Sequence, residues 1–138
     1  MEVVKAGAFS SRIHFLGYRN DVQDLLPAAD LLLLPSLIEG TPGVLLEAGA
    51  NQVVALAYRV GAVDECYPSE LVDHLTITLG EELEMAKKSV NLLKDIERRR
   101  EMGIAFQSFV QNNYAMASIG KQFEMLYKKL LAKATTRD

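Results

Sequence analysis

Four consecutive leucines, Leu31, Leu32, Leu33 and Leu34, closed by Pro35 and Ser36, constrain the fold of this chain more than any other feature. Side chains alternate between the two faces of a strand, so a run that is apolar at every position cannot have one wet face. It reads as a parallel strand over 29–34 that is covered on both sides. Parallel neighbours need a crossover connection, usually a helix. The next segment supplies one: a helix pattern over 42–51, then a second apolar run, Val53, Val54, Ala55, Leu56 and Ala57. Upstream, 12–16 has a strand signal closed by Gly17, and 22–28 has helical spacing after the Asn20-Asp21 pair. Downstream, Gly61 marks a loop and 75–78 reads as a further strand. The βαβαβ rhythm predicts an α/β fold, a Rossmann-like αβα sandwich with a parallel sheet.

After Gly80 the pattern turns helical. Leu83, Ala86, Val90 and Leu93 form one stripe, Ala105, Phe106, Phe109 and Val110 a second, and Ile119, Phe123, Leu126, Tyr127 and Leu130 a third. Such stripes predict core packing, with Met85, Met102, Met116 and Met125 as filler. Gly103 is expected to separate the first two helices, and Asn112-Asn113-Tyr114 to mark the second break. Arg98, Arg99 and Arg100, flanked by Glu97 and Glu101, read as a solvated face. His14 and His74 fall in strand signals and read as structural.

A chain of 138 residues, 49% apolar and 24% charged, suits one domain with a real core. We place it at 1–134, with the βαβαβ core at about 12–79, helices at about 80–133 and a frayed tail at 135–138. The formal net charge of −3 argues against a general nucleic-acid surface. The lone cysteine, Cys66, excludes an internal disulfide and reads as a small buried hydrophobe. With neither a signal-peptide pattern nor a membrane-length apolar run, the expected location is cytoplasmic.

The segment Glu39-Gly40-Thr41-Pro42-Gly43-Val44-Leu45-Leu46-Glu47 carries the chemistry. It places one acid on the loop at a strand's carboxyl end and another inside the helix that follows. Thr41 suits the N-cap, Pro42 the first helical position, and Gly43 leaves its amide open to a ligand. A helix start at the carboxyl end of a parallel strand is an anion site in a binding crevice. Gly43, Glu47 and Asn51 share one narrow polar lane, in which an ionised Glu47 can accept from adjacent ribose hydroxyls. The alternatives are a solvated helix acid at Glu47 and an exposed loop acid at Glu39.

The whole pattern resembles the carboxyl-terminal, nucleotide-sugar-binding domain of GT-B fold, retaining glycosyltransferases of the group 1 type. The matching residues are Ile13-His14-Phe15-Leu16-Gly17, Asp21-Val22, Ala28-Ala29-Asp30-Leu31, Pro35-Ser36 and the stretch from Glu39 to Ala48. Later echoes are Arg99 to Met102-Gly103 and Leu126-Tyr127-Lys128-Lys129-Leu130-Leu131. The resemblance implies that Glu39, by the donor sugar, is the catalytic-position acid. It also implies that the Gly43 and Val44 amides receive phosphate with Gly40 and Thr41 beside them, and that Glu47 holds the ribose. Gly17, Tyr18 and Arg19 would flank the nucleotide base. The implied reaction moves a sugar from a nucleoside diphosphate to an acceptor hydroxyl with retention, with no metal or cofactor beyond the donor itself.

The sequence departs from that pattern in several places. The family's Gly-Arg…Lys-Gly element, whose cations sit on the diphosphate, has no counterpart here; neither Lys5 nor Arg12 has its context. The amino-terminal acceptor-binding domain is also without a counterpart. The expectation is therefore a partial transferase whose acceptor, a saccharide or lipid, is bound by the missing domain or by a partner chain. An uncovered sheet edge would favour self-association. A noncatalytic interaction module, or one half of a split transferase, is the alternative. Asn51-Gln52-Val53-Val54 replaces the usual small-Gly-x-Pro turn. Ala62 replaces the second glycine of a Gly-Gly loop before Glu65, and would impair the loop if that position needs a positive φ.

Overall fold

The structure is a computed structural model that describes residues 9–135, with side chains to residue 132. Lys5 and the tail beyond 135 lie outside the described residues. Strands β1 (Leu32–Leu34), β2 (Ala55–Tyr58) and β3 (Thr76–Ile77) form one parallel sheet in that order. Leu32 pairs with Ala55 and Leu34 with Ala57; Ala57 and Tyr58 pair in turn with Thr76 and Ile77. Val53 to Tyr58 are all buried, as the unbroken apolar run of a central parallel strand requires.

The chain enters through α1 (Val22–Leu25) and a 3-10 turn at Leu26–Ala28, which together fill the expected helix at 22–28. Asp21 precedes α1 but does not cap it, because its carboxylate accepts from Arg19 instead. The strand expected at 12–16 is not formed. Ser10–Arg12 make a 3-10 turn, and Ile13, Phe15 and Leu16 are exposed. Strand signals become strands only where a neighbouring edge takes their hydrogen bonds, and among the described residues none lies alongside. For the same reason β1 has one paired edge, and Leu33 is 46% exposed.

Helix α2 (Gly43–Ala50) joins β1 to β2, and a 3-10 turn at Val63–Cys66 with α3 (Val72–Leu75) joins β2 to β3. Leu75 and His74 thus belong to α3, and β3 is shorter than the expected strand at 75–78. His74 and His14 are both exposed. Helices α4 (Glu82–Lys94), α5 (Ile96–Asn113) and α6 (Met116–Thr135) follow.

Helix α5 closes the core. Phe106 is fully buried against α2, so close that a Cβ added to Gly49 would lie 2.9 Å from its ring and 2.8 Å from Val110. Tyr67 packs on Phe106 at 5.0 Å, and its hydroxyl donates to the Ala55 carbonyl at 3.1 Å. The expected break at Gly103 is absent: the helix divides at Asp95, whose carboxylate caps α5 by accepting from the Arg98 amide at 3.0 Å. Gly103 is glycine for packing, since a Cβ there would stand 2.3 Å from the Gln52 carbonyl oxygen. Gln52 itself turns the chain after α2 with φ 60°, where the family pattern has glycine. Left-handed backbone costs an L-residue about 1–2 kcal/mol. The Gln52 amide offsets part of this by donating to Gln107 Oε1 at 2.9 Å, while Gln107 donates to the Ala50 carbonyl at 2.8 Å.

Two stripes differ from expectation. Helix α4 turns Met85, Ser89 and Leu92 inward and leaves Leu83, Val90 and Leu93 outside. Ser89 is tolerated inside because its hydroxyl donates to the Met85 carbonyl at 2.7 Å. On α6, Phe123, Leu126, Tyr127 and Leu130 are about half exposed, as are Met116 and Met125 to a greater degree. Those residues carry core periodicity, but no described element lies over them. Arg99 also departs from the solvated reading. Its side chain is 15% exposed, donates to the Leu92 and Leu93 carbonyls at 2.8 and 3.1 Å, and pairs with Asp30 at 2.8 Å. It satisfies carbonyls that the end of α4 leaves open.

Candidate functional site

The loops after β1 and β2 and the start of α2 meet at the carboxyl edge of the sheet, where open α/β sheets bind ligands. Pro42, with φ −72° and ψ 109°, is the N-cap of α2, one residue later than the Thr41 expected from sequence. Proline's fixed φ suits the extended N-cap backbone equally well, and Thr41 makes no capping bond. The Leu45 amide is taken by the Pro42 carbonyl at 3.1 Å, whereas the Gly43 and Val44 amides have no acceptor among the described residues. Two open donors at the positive end of a helix dipole are suited to an anion.

Glu47 lies one turn along α2 on the same lane. Its Oε1 is 4.0 Å from where a Gly43 Cβ would be, so glycine keeps the space between carboxylate and helix start clear. The side chain is exposed, and no described protein donor holds its carboxylate. Asn51, expected to extend this lane, donates instead to the Glu47 carbonyl at 2.9 Å and finishes the helix. Glu47 thus holds a solvated position, as the alternative sequence reading of a solvated helix acid has it, with its carboxylate facing open space.

Glu39 and Gly40 are fixed from below by the loop after β2. Gly61 has φ 55°, and a Cβ there would fall 1.9 Å from the Glu39 carbonyl oxygen. The Ala62 amide donates to the Gly40 carbonyl at 3.1 Å. Ala62 has φ −99° and ψ 24°, an ordinary conformation, so alanine at that position does not strain the loop. Cys66 holds the same loop from beneath, its thiol against the Ala62 carbonyl at 3.7 Å. Burial pushes this thiol up to about 11, and the charges of Glu65 and Glu39 add to the shift. The Tyr114 hydroxyl donates to the Glu65 carbonyl at 2.8 Å and ties the end of α5 to this loop. The part played by Gly61 was signalled in sequence only by its place in a Gly-Gly-like loop.

Gly17, Tyr18 and Arg19 form an exposed turn. Gly17 has φ 67°, Tyr18 is 98% exposed, and the Arg19 Nε donates to Asp21 Oδ1 at 2.8 Å. Arg19 holds the Asp21 carboxyl below its ordinary range through that hydrogen bond. No described hydrogen bond ties this turn to the Glu39–Glu47 segment. Glu39, Gly40, Gly43, Val44 and Glu47 lie along the loop after β1 and the first turns of α2.

Residues 2–95 match the family described as "Glycosyl transferases group 1", and the chain belongs to that family. It is 33% identical over 131 residues to N-acetyl-alpha-D-glucosaminyl L-malate synthase of Bacillus anthracis, covering 95% of this chain and 34% of that protein. Over 70 residues it is 33% identical to UDP-Gal:alpha-D-GlcNAc-diphosphoundecaprenol alpha-1,3-galactosyltransferase of Escherichia coli, covering 51% of this chain and 18% of that one. Sucrose-phosphate synthase from Thermosynechococcus elongatus has the same fold, with a TM-score of 0.81 at 23% identity over 96% of this chain and 33% of that chain. The architecture is thus that of the GT-B glycosyltransferases. The chain spans about a third of the length of the Bacillus relative. No described helix is long and apolar enough to cross a membrane.

Proposed function

We propose that this chain forms the donor-binding part of a glycosyltransferase that uses a nucleoside diphosphate sugar. The observation that carries the reading is the pair of open amides, Gly43 and Val44, on the same lane as an unpartnered Glu47 carboxylate. The amides receive the diphosphate, Glu47 accepts from the ribose hydroxyls, and Gly40 and Thr41 border the phosphates. Glu39, held by Gly61 and Ala62, stands by the donor sugar. Gly17, Tyr18 and Arg19 flank the base.

In the reaction, the bond between the sugar's anomeric carbon and the diphosphate oxygen breaks and a bond to the acceptor oxygen forms on the same face. The acceptor hydroxyl gives up its proton and the nucleoside diphosphate leaves. The charge growing on that diphosphate must be met by fixed donors. A helix start contributes about 0.3–1 kcal/mol, and up to ~2 when partly buried, which is too little alone. Further cations, and the site for an acceptor saccharide or lipid, therefore lie outside the described residues in this reading. The open edge of β1 is where further strands or a partner chain would pair. Beyond donor and acceptor, this reading calls for no resident cofactor or metal.

Calorimetric titration with UDP, GDP and ADP, free and as sugar conjugates, tests this. The printed name of the Escherichia coli relative includes a UDP-linked sugar, which puts UDP first among the probes. Charge-assisted bonds of about 1.5–3 kcal/mol predict that Glu47→Gln weakens binding roughly tenfold or more. Equal affinity in the variant would remove Glu47 from the site. A folded chain that binds none of the three would favour the noncatalytic module.

A further inference from the structure

A second polar cleft, of about 330 Å³, opens between α3, α4 and α5, lined by His74, Lys88, Asn91, Leu92, Asp95, Arg98 and Met102. It lies beside α3, which leads into the start of β3, and so faces the amino edge of the sheet, away from the loops of the proposed donor site. Its volume is at the small end of ligand sites, about 300–1,000 Å³.

Of the two cations that line it, Arg98 is the less engaged. The only described partner of the Arg98 guanidinium is the His74 ring, Nη2 to Nδ1 at 3.4 Å. A guanidinium has only donors, so in this contact Nδ1 is the acceptor. No carboxylate lies within ion-pair reach of Arg98 among the described residues. Asp95 lines the cleft, but its carboxylate accepts the Arg98 backbone amide as the α5 cap. Asp73, next to His74, pairs with Arg59 at 2.6 Å. Lys88 is positioned by the Asp73 and Thr76 carbonyls at 2.9 and 3.0 Å and faces Glu84 at 3.5 Å, which fixes its ammonium at the wall. Leu92 and Met102 are buried and form an apolar floor.

We propose that this cleft binds a small phosphate monoester. Its phosphoryl oxygens take two parallel N–H bonds from Arg98, with His74 and Asn91 as further donors and Lys88 adding charge. A planar guanidinium matches phosphate in this bidentate way. The volume leaves room for a body of a few carbon atoms over Leu92 and Met102. None of this depends on the donor-site reading, since the two sites share no residue.

The test uses the two histidines. His74 lines the cleft and His14 lies on exposed coil, so His14 serves as the reference within one sample. Their ring signals are followed by NMR as inorganic phosphate or glycerol 3-phosphate is added at ionic strength held constant with chloride. The expected result is a saturable shift of His74 alone, with affinity reduced about tenfold or more in Arg98→Gln. A thermal melt of Arg98→Gln equal to wild type shows that the loss is not unfolding, and His74→Gln provides an independent loss read by calorimetry. Vesicles of phosphatidylcholine with phosphatidic acid distinguish a lipid headgroup from a soluble ligand: pelleting that requires Arg98 assigns the phosphate to lipid, and its absence assigns it to solution. Equal shifts of His74 and His14, or an unchanged response in Arg98→Gln, would overturn the proposal.

Discussion

Replacing Gly61 by alanine should destabilise the chain and displace the Glu39 loop. Two separable effects act at this residue. Its φ of 55° is left-handed, which costs an L-residue about 1–2 kcal/mol. The new methyl would also stand 1.9 Å from the Glu39 carbonyl oxygen and 2.8 Å from its carbon, both backbone atoms that no rotamer change can move aside. Overpacking of this kind typically adds about 1–3 kcal/mol. The sum, about 2–5 kcal/mol, is a large share of the ~5–15 kcal/mol that holds a domain folded. For a chain of this size it corresponds to a fall in melting temperature of roughly 6–20 °C. Gly17→Ala is the matched control: φ is 67°, but nothing lies within 4 Å of the added carbon, so only the conformational part applies. Thermal and urea unfolding of both variants would measure the difference. A Gly61→Ala melting point no lower than that of Gly17→Ala would refute the close approach of the two loops. In the donor-site reading, the surviving folded fraction should keep affinity for a nucleoside diphosphate and lose affinity contributed by the sugar.

Two further predictions concern the scaffold. Arg99→Ala removes two hydrogen bonds to the end of α4 and the link to Asp30, and should lower stability by about 1–3 kcal/mol in urea unfolding. Asp30→Asn, at an exposed end of the same pair, should change it by less than about 1 kcal/mol; equal losses in the two would show that the carbonyl contacts contribute nothing. Cys66 should react slowly with a thiol reagent at pH 8 while the chain is folded, and at an ordinary rate in denaturant. Because its folded value is raised, its contribution to stability is complete below the ordinary thiol value of about 8.5 and is lost as pH rises through about 11. Rapid labelling of the folded chain, or stability that does not fall over that interval, would count against its burial.

The parallel sheet and the helix after β1 were legible because their signals are local. Four leucines in a row leave a strand no wet face, and Val53 to Ala57 repeat the constraint one crossover later. Pro42 and Gly43 placed the start of α2 to within a residue. The misreadings occur where a distant partner decides. Ile13, Phe15 and Leu16 have strand propensity, but a strand also needs an edge, and no periodicity reports whether one is present. Gly103 fits a terminator pattern because glycine often ends helices; its role, admitting the Gln52 carbonyl against α5, is visible only in three dimensions. Arg98, Arg99 and Arg100 are equivalent in local sequence, and the Leu92 and Leu93 carbonyls beside Arg99 distinguish it. At the candidate site, Glu39 and Glu47 stand out in sequence by spacing and by the family resemblance. The clamp from Gly61 and Ala62 required knowing that the loops after β1 and β2 meet.

The central claim is that nucleoside diphosphate binds at the start of α2. Backbone amide NMR during titration with UDP, GDP and ADP tests it most directly. The account predicts that Gly43 and Val44 show the largest shifts with at least one of these nucleotides, that Glu47 responds with them, and that the Gly43 and Val44 shifts weaken in Glu47→Gln. Saturable binding that leaves both amides unmoved, with the largest shifts elsewhere, would contradict it.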